Sequence, residues 1–405
     1  MQTVQEAERI IREAVPRLPP VRVPLVRAQG RILRSDVRAD RDLPPFDRVT
    51  MDGIAVSFDA IKNGTAAFDI EATAPAGAPA MALRHSGTGC LQVMTGAVLP
   101  QGCDTVVPYE DLEIDEDRAT LQQRVTPSRG QFVHRQGSDG KQGTGLLASG
   151  MHLNAPRIGL AASTGAAELD VSPFPRVAVV SNGDELVPVG QPVLPYQIRP
   201  SNNYAMVAAL SLLGFDSVSN HHLADNPNQI REKLAQILGE HDVLILSGGV
   251  SAGKLDYVPD ALGDLGVVRH FHKVSQRPGK PMWFGIAPAG APVFALPGNP
   301  ISTLVCFHRY VLPALDCMMG AAARRPEPMR IEEEIRFEPP LTFFRPVRRV
   351  SGADGGIGVV PAPYRGSGDL SVLGASDGFV ELDRDRSHVA AGEVLPFTAW
   401  TGSAG

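Results

Sequence analysis

The chain has 405 residues, of which 43% are hydrophobic and 20% charged, and its formal net charge at pH 7 is −6. This composition is that of a globular protein with several domains. The acidic balance argues against a nucleic-acid partner, and no run approaches the ~18 apolar residues of a membrane span. The N-terminus lacks a signal-peptide core, and four scattered cysteines show no zinc spacing. We expect a cytoplasmic protein with no membrane partner.

The first third of the chain changes from helical to β-like character. Residues 4–15 place apolar side chains at helical spacing, which predicts an amphipathic helix. From there to about residue 140 short β-like segments alternate with Gly, Ala and Pro, which predicts a small β domain. Helical character returns over residues 150–168.

Two acidic residues of this β-rich region are candidates for a site. Asp52 lies in a Met-Asp-Gly turn, where its side chain could bond its own backbone or serve a site. Asp139 lies in the charged, glycine-rich segment 131–143, which is either a solvated loop or a loop that reaches another domain.

From residue 175 the pattern is strand, helix, strand, helix, strand. Apolar runs at 177–180 and 243–246 predict buried strands, and Ser201 and Asn202 are expected to cap the first helix. This alternation predicts a parallel sheet, with ligands bound at the carboxyl ends of its strands.

The third of these strands ends in Ser247, Gly248 and Gly249, followed by Ser251. Glycines let the backbone approach an anion, and serines add hydroxyl donors. Asp256 and Pro259 are expected to begin a helix whose positive end faces the same anion. The sequence therefore predicts a phosphate site, although a merely tight strand-to-helix turn is the alternative.

A nucleotide P-loop is disfavoured for this segment. Gly248, Gly253 and Lys254 match most of that motif, but Leu255 replaces the Ser or Thr that binds magnesium.

Acidic residues recur at the ends of the predicted strands. Asp184, Glu185, Asp225 and Asp256 would gather beside the glycine loop, where a divalent ion would explain them. The alternative is that each caps a turn or helix.

Later turns supply cations and rigid loops. Arg277 and Lys280 flank a Pro-Gly pair, which is either an exposed turn or a clamp for a phosphate or oxyanion. Pro297 and Pro300 enclose a stiff turn before a helix. Ser367 lies in a Gly-Ser-Gly-Asp loop that is either a plain turn or an oxyanion contact.

The chain resembles the molybdopterin molybdenumtransferase family, the gephyrin E-domain-like enzymes, in seven motifs that occur in the family's order. They are Pro-Pro-Phe-Asp (44–47) with Met-Asp-Gly (51–53), Met-Thr-Gly-Ala (94–97), Gly-Asp-Glu-Leu (183–186), Ile-Arg-Pro-Ser-Asn (198–202), Ser-Gly-Gly-Val-Ser (247–251), Pro-Gly-Lys-Pro (278–281) and Leu-Pro-Gly-Asn-Pro (296–300).

The resemblance implies a multidomain α/β plus β fold. A central three-layer α/β domain with a mostly parallel sheet would carry an inserted small β domain, a discontinuous N-terminal linking domain and a C-terminal β-barrel-like domain. We expect the linking domain at 1–40 and 141–173, the inserted domain at 41–140, the molybdopterin-binding domain at 174–325 and the C-terminal domain at 326–405.

The resemblance also implies an enzyme that inserts molybdenum from molybdate into adenylylated molybdopterin and releases AMP. It implies Mg²⁺ or another divalent ion, and a homodimer with a composite active site. The implied catalytic residues are Asp52, Glu185, Asp225, Asp256 and Lys280, of which Glu185, Asp225 and Asp256 would bind metal. The implied substrate-binding residues are Ser247, Gly248, Gly249, Ser251, Lys254, Arg277, Pro297, Pro300 and Ser367, and Asp139 would join Asp52 from the β domain.

Several positions depart from the family pattern. They are Val49, where Ser is usual, Ile54 for Tyr, Ser138 for Glu, Asn182 for Thr, and Lys254 for an acidic residue. Lys254 exchanges a carboxylate for a cation beside the phosphates. The alternatives are a pterin-binding or scaffold paralogue with altered catalysis, and a tungstate-using homologue.

Overall fold

A computed structural model describes residues 1–249, 257–338, 340–352 and 355–400. These residues form two compact units. Unit 1 comprises Met1–Ser35, Ser149–Ile158 and Ala167–Gly405, and unit 2 comprises Asp36–Ala148 and Gly159–Ala166. Within the described ranges, no helix has both the length and the apolar character needed to cross a membrane.

The strands are numbered in chain order. They are β1 (Val21–Pro24), β2 (Val37–Arg38), β3 (Arg48–Val49), β4 (Gly53–Val56), β5 (Ala67–Ala74), β6 (Gly89–Val93), β7 (Thr105–Pro108), β8 (Leu112–Asp115), β9 (Arg118–Leu121), β10 (Val133–His134), β11 (Gly145–Leu147), β12 (Glu168–Val171), β13 (Val177–Asn182), β14 (Val218–Leu223), β15 (Val243–Ser247), β16 (Val268–His272), β17 (Gln276–Arg277), β18 (Trp283–Ile286), β19 (Pro292–Leu296), β20 (Glu327–Ile331), β21 (Ile335–Arg336), β22 (Thr342–Ser351), β23 (Ile357–Pro361), β24 (Gly378–Leu382), β25 (His388–Val389) and β26 (Val394–Ala399).

The helices are numbered in the same way. They are α1 (Val4–Ala14), α2 (Phe58–Lys62), α3 (Ala155–Ser163), α4 (Asn202–Leu212), α5 (Pro227–Glu240), α6 (Val258–Asp264), α7 (Pro300–Cys306), α8 (Leu312–Met319) and α9 (Ser371–Gly374). A π-helical turn, Phe307–Val311, joins α7 to α8.

The largest core of unit 1 surrounds a six-stranded sheet with the order β14-β13-β15-β19-β18-β16. The first four strands are parallel, and β18 runs against both of its neighbours. The central strands β13, β15 and β19 are buried along their whole length, as their continuous apolar sequences predict. The predicted mostly parallel sheet is confirmed.

Helices cover both faces of this sheet. Met206 of α4 packs in one core with Val177 and Val179, whereas Ile230 of α5 packs in another with Ala178. Successive strand residues point to opposite faces, so the two cores lie on opposite sides of the sheet. The three-layer arrangement is confirmed.

The predicted N-terminal helix is confirmed as α1. Thr3 and Glu6 form a reciprocal capping box that satisfies two amide groups at the helix start. Val4, Ala7 and Ile11 form its buried face, as the helical spacing of apolar residues predicts.

Two further sheets account for the β-rich regions predicted at 41–140 and 326–405. In unit 2, six strands form a sheet with the order β7-β4-β6-β5-β9-β8. In unit 1, β22, β23, β20, β26 and β24 pair in sequence, and β24 also pairs with β22, which closes a five-stranded barrel. The predicted β-barrel-like region is therefore confirmed, whereas the exact domain boundaries remain predictions.

Candidate functional site

A glycine turn lies at the switch point of the central sheet. The chain leaves β13 for β14 on one side and returns to β15 on the other, which is where parallel sheets bind ligands. Gly248 and Gly249 have φ angles of +93° and +72°, a region that favours glycine. A Cβ atom on Gly249 would lie 2.9 Å from Cγ2 of Val258. The positive φ angle and the lack of space for a Cβ atom therefore both require a glycine at position 249.

Some predicted residues of this loop lie outside the described residues, namely Ser251, Lys254 and Asp256. The predicted helix beyond the loop is confirmed as α6, which begins at Val258 and has Pro259 in its first turn.

Asn182, at the end of β13, connects the glycine turn to the acidic residues. Its Nδ2 donates to Oδ1 of Asp225 at 2.7 Å, and it lies 3.3 Å from the position of a Cβ atom on Gly249. The amide of Asp184 donates to the other oxygen of Asp225, and the amide of Asp225 donates back to Asp184. Oδ1 of Asn182 is buried and has no partner among the described residues. This oxygen is therefore available to accept a hydrogen bond from a ligand.

Glu185 lies in the same turn but makes different contacts. Its carboxylate occupies the space where a Cβ atom on Gly183 would stand. His222 donates from Nε2 to the carbonyl of Gly183 at 2.9 Å, which holds the turn against β14. Among the described residues, no cluster of three or more His, Cys, Asp or Glu residues could hold a metal ion. A site built from Glu185, Asp225 and Asp256 stays a prediction, because Asp256 lies outside this range.

Asn202 joins three loops, which the sequence did not reveal. Its Nδ2 donates to Oγ of Ser247 and to the carbonyl of Gly298, both at 2.7 Å. Ser201 occupies the N-cap position of α4, as predicted, but its side chain makes no capping hydrogen bond with a described residue. The side-chain amide of Asn202 instead connects Ser247, at the end of β15, to Gly298, which follows β19. A Cβ atom on Gly298 would lie 3.7 Å from Cα of Gly248, so the two turns are adjacent.

The turn from Pro297 to Pro300 anchors the predicted Ser367 loop. Thr303 donates to the carbonyl of Pro297 at 2.5 Å, which fixes the turn to the first turn of α7. Asn299 donates to Oγ of Ser367 at 2.9 Å. Ser367 therefore lies beside the Pro297–Pro300 turn, as a shared site requires.

The cation turn, residues 277–280, rests on a buried network. Gln276 is fully buried and donates to the carbonyl of Pro278 at 3.2 Å, while Tyr310 donates to Gln276. Gly279 has a φ of +93°, and a Cβ atom there would lie 2.6 Å from Sγ of Cys306. Burial raises the pKa of Cys306 to about 12, so the thiol is neutral. Arg277 and Lys280 are exposed on this rigid base.

Helix α7 lies next to both the glycine turn and the cation turn. It begins beside Asn299, next to Gly298, and the Cβ position of Gly279 lies 3.6 Å from the carbonyl of Ser302. Seven residues of helix span about 10 Å. The glycine and cation turns are therefore close enough to contact one extended anionic ligand.

Arg345 is a candidate that the sequence did not single out. Its Nη2 donates to the carbonyl of Ala362 at 2.9 Å, and its guanidinium lies over the ring of Tyr364. Burial raises the pKa of Tyr364, and the positive charges of Arg277 and Arg345 oppose that rise. Both arginines therefore lie near Tyr364, which precedes Ser367 by three residues in the chain. The signal for Arg345 was a charged residue inside an apolar strand.

Asp52 and Asp139 both belong to unit 2. Oδ1 of Asp52 accepts from the amide and the hydroxyl of Thr95, at 2.5 and 2.8 Å, and these bonds lower the pKa of Asp52. The carboxylate thus bonds a second loop, and not its own turn. This contact joins the Met-Asp-Gly and Met-Thr-Gly-Ala motifs.

Asp139 ends a chain of hydrogen bonds with a defined direction. Arg48 contacts Nδ1 of His134 at 3.1 Å, and Nε2 of His134 contacts Asp139 at 2.8 Å. Because arginine only donates, Nδ1 accepts and Nε2 carries the proton. His134 therefore donates to Asp139 as a neutral ring.

Family models match most of the chain. The MoeA N-terminal region (domain I and II) matches residues 2–165. The probable molybdopterin binding domain matches residues 178–316. The MoeA C-terminal region (domain IV) matches residues 329–400.

Individual relatives match over nearly the full length. A molybdopterin molybdenumtransferase of Synechocystis is 40% identical over 92% of this chain and 93% of its own. Molybdopterin molybdenumtransferase 2 of Mycobacterium tuberculosis is 35% identical over 98% of each chain. The crystal structure of a molybdopterin biosynthesis MoeA protein of Pyrococcus horikoshii has a TM-score of 0.79, 26% identity and 99% coverage of both chains. The chain belongs to the molybdopterin molybdenumtransferase, or MoeA, family.

Proposed function

We propose that this protein inserts molybdenum from molybdate into adenylylated molybdopterin and releases AMP. The observation that carries the proposal is that the glycine turn lies beside the start of α7 and the cation turn packs against Ser302 and Cys306 of the same helix, in a chain of this family. The two turns suit a substrate that carries a pyrophosphate and an oxyanion within about 10 Å of each other.

The glycine turn would bind the pyrophosphate. The Gly248 amide already donates to the carbonyl of Leu296 at 3.1 Å, so the amide of Gly249 is the backbone donor that we assign to phosphate. Oγ of Ser247 accepts from Asn202, and its own hydrogen can therefore point to a phosphate oxygen. Ser251 and Lys254 would add a hydroxyl and a positive charge.

The cation turn and its neighbours would bind molybdate. Arg277 and Lys280 supply exposed positive charge, and Arg345 and Ser367 add donors beside Tyr364. A guanidinium holds a tetrahedral oxyanion through paired N–H groups. Pro297 and Pro300 would shape the wall between oxyanion and pterin.

We assign a magnesium ion to the oxygen donors near Asn182. The carboxylates of Asp225 and Glu185, with Asp256, would hold it, and the buried Oδ1 of Asn182 is an oxygen donor of the kind that Mg²⁺ accepts. When bound, the ion would offset the charge of the pyrophosphate. The reciprocal bonds between Asp184 and Asp225 would keep this edge in place during hydrolysis, and Lys280 would stabilise the developing negative charge.

We further propose a cytoplasmic homodimer in which Asp52 and Asp139 serve the composite site. The free thiols of Cys90, Cys103, Cys306 and Cys317 suit a reducing compartment. Sedimentation of the purified protein tests the dimer, and a monomer at micromolar concentration would contradict it.

The activity is tested by mixing the purified chain with adenylylated molybdopterin, molybdate and Mg²⁺, and measuring AMP by chromatography. We expect AMP release that requires molybdate and stops when the divalent ion is chelated. Parallel reactions with tungstate, and with ATP in place of the pterin, identify the oxyanion and the nucleotide. Tight pterin binding without AMP release would instead indicate a scaffold protein.

A further inference from the structure

A cavity lies within unit 1 and is lined by none of the residues that we assign to substrate or metal binding. Its volume is about 300 Å³, and its walls come from α1, the π-helical turn, α8, the segment 321–327 and β26. A volume of this order accommodates a small organic molecule. Ile11, Leu312 and Phe397 contribute apolar walls.

Most charged groups of this cavity neutralise one another. Arg309 pairs with Glu8 at 3.0 Å and with Glu381 at 2.9 Å, and Arg324 pairs with Asp316. These carboxylates and guanidiniums are engaged in holding the walls together. The lining contains four arginines and four carboxylates. Glu327 pairs at 2.8 Å with Arg349, which is not part of the lining, so one lining guanidinium is left without a carboxylate.

His308 and Arg325, two polar side chains of the lining, have no such partners among the described residues. His308 is only 6% exposed, and no described residue hydrogen-bonds its ring, which packs against Phe307 and Trp400. The π-helical turn places it at the cavity, and such turns recur at functional sites. Burial lowers the pKa of His308 to about 3, so the ring is neutral, with one donor and one acceptor. Arg325 is exposed at the cavity and has no ion pair with a described residue.

We propose that this cavity is a binding site for a small carboxylic acid with an apolar body. The carboxylate pairs with Arg325, the body lies against Ile11, Leu312 and Phe397, and a polar group meets His308. A lining with one spare guanidinium suits a single negative charge better than a phosphate dianion. The site is separate from the proposed molybdenum-insertion site.

The test uses 3-(4-hydroxyphenyl)propionate as the probe and 3-(4-hydroxyphenyl)propan-1-ol as its uncharged counterpart, with binding measured by ligand-observed NMR and calorimetry on the full chain. We expect the acid to bind about tenfold more tightly than the alcohol, as one charged hydrogen bond allows. Arg325→Ala should remove that preference. Arg348→Ala is the matched control, because Arg348 is exposed on β22 and does not line the cavity.

His308→Phe removes both ring nitrogens, and therefore the hydrogen bond to the ligand, and should weaken binding of both probes. AMP release by the Arg325→Ala protein should equal that of the wild type, which separates this site from catalysis. No detectable binding of the acid at millimolar concentration would overturn the proposal. Equal binding of acid and alcohol, or a preference that survives in Arg325→Ala, would overturn it as well.

Discussion

The side-chain amide of Asn182 donates to Oδ1 of Asp225 across 2.7 Å, and the oxygen of the same amide is buried beside the glycine turn. Asn182 thus links the carboxylate that we assign to catalysis with the backbone that we assign to phosphate binding. The family pattern has Thr at this position, which could donate through its hydroxyl but not accept with a carbonyl.

Asn182→Ala should lower kcat/KM for AMP release by about tenfold, because a buried hydrogen bond to a charged group is lost. Asn182→Thr should recover most of that loss. Asn228→Ala, which changes an exposed side chain on α5, serves as the control. Activity of Asn182→Ala within twofold of wild type would remove Asn182 from the site.

Gly279→Ala should lower the free energy of unfolding by more than the positive φ angle alone would cost. The new methyl group would lie 2.6 Å from both Sγ of Cys306 and Nε2 of Gln276. Gly290→Ala is a matched control, because its φ is +89° against +93°, and no atom lies within 4 Å of its Cβ position. We expect a loss of about 1 kcal/mol for Gly290→Ala and at least about 2 kcal/mol for Gly279→Ala. Chemical denaturation measures both, and equal losses would refute the tight packing.

Gly249→Ala should weaken substrate binding at the glycine turn. The methyl group would lie 2.9 Å from Val258, so α6 or the turn must move. We expect the KM for adenylylated molybdopterin to rise about tenfold or more, as the loss of one or two charged hydrogen bonds requires. Gly263→Ala in α6 has open space at its Cβ position and should leave KM unchanged. An unchanged KM for Gly249→Ala would mean that phosphate binds elsewhere.

Arg345→Ala should raise the molybdate concentration needed for half-maximal AMP release by about tenfold, since a charged hydrogen bond is lost. Arg348→Ala, three residues along the same strand but exposed, should have no effect. Arg345→Lys keeps the charge without the paired N–H groups, and we expect an intermediate value. A molybdate dependence that is unchanged in all three proteins would exclude Arg345 from oxyanion binding.

Acid should destabilise the fold partly through His308. The folded-state pKa of His308 is lowered to about 3, whereas an unfolded histidine titrates near 6.5. The unfolded chain therefore binds one more proton between these values, so stability from this group is complete above pH 6.5 and falls on acidification. The slope is about 1.4 kcal/mol per pH unit for one proton.

His308→Gln should reduce the dependence of unfolding free energy on pH between 4.5 and 6.5 by about that slope. His270→Gln, which alters an exposed histidine, should leave it unchanged. Identical pH slopes for His308→Gln and the wild type would show that His308 is accessible to protons in the folded protein.

Periodic apolar sequence accounts for the elements that were predicted. The buried runs at 177–180 and 243–246 became β13 and β15, because a strand covered on both faces needs an uninterrupted apolar sequence. Because the predicted strands are parallel, the sequence also placed the candidate site at their carboxyl ends. The barrel closure between β22 and β24 joins residues far apart in sequence, and no local pattern encodes that pairing.

Long-range side-chain partners account for most of what was missed. The neighbouring sequence predicts that Asn202 caps a helix, yet its side-chain amide donates to Ser247 and Gly298. In the sequence, Arg345 only interrupts an apolar strand. In the structure it donates to the carbonyl of Ala362 and lies over the ring of Tyr364. Polar side chains can satisfy several local motifs equally well, so their partners depend on the tertiary fold.

Helix α7 has a consequence for how the family can vary in length. Each residue of an α-helix adds about 1.5 Å of rise and about 100° of rotation. One residue inserted into α7 would therefore displace the Asn299 end from the Cys306 end and turn the two ends onto different faces. In the site that we propose, the number of residues in α7 would set the spacing between two negative charges on the substrate, whereas insertions in the surrounding loops would leave that spacing unaltered.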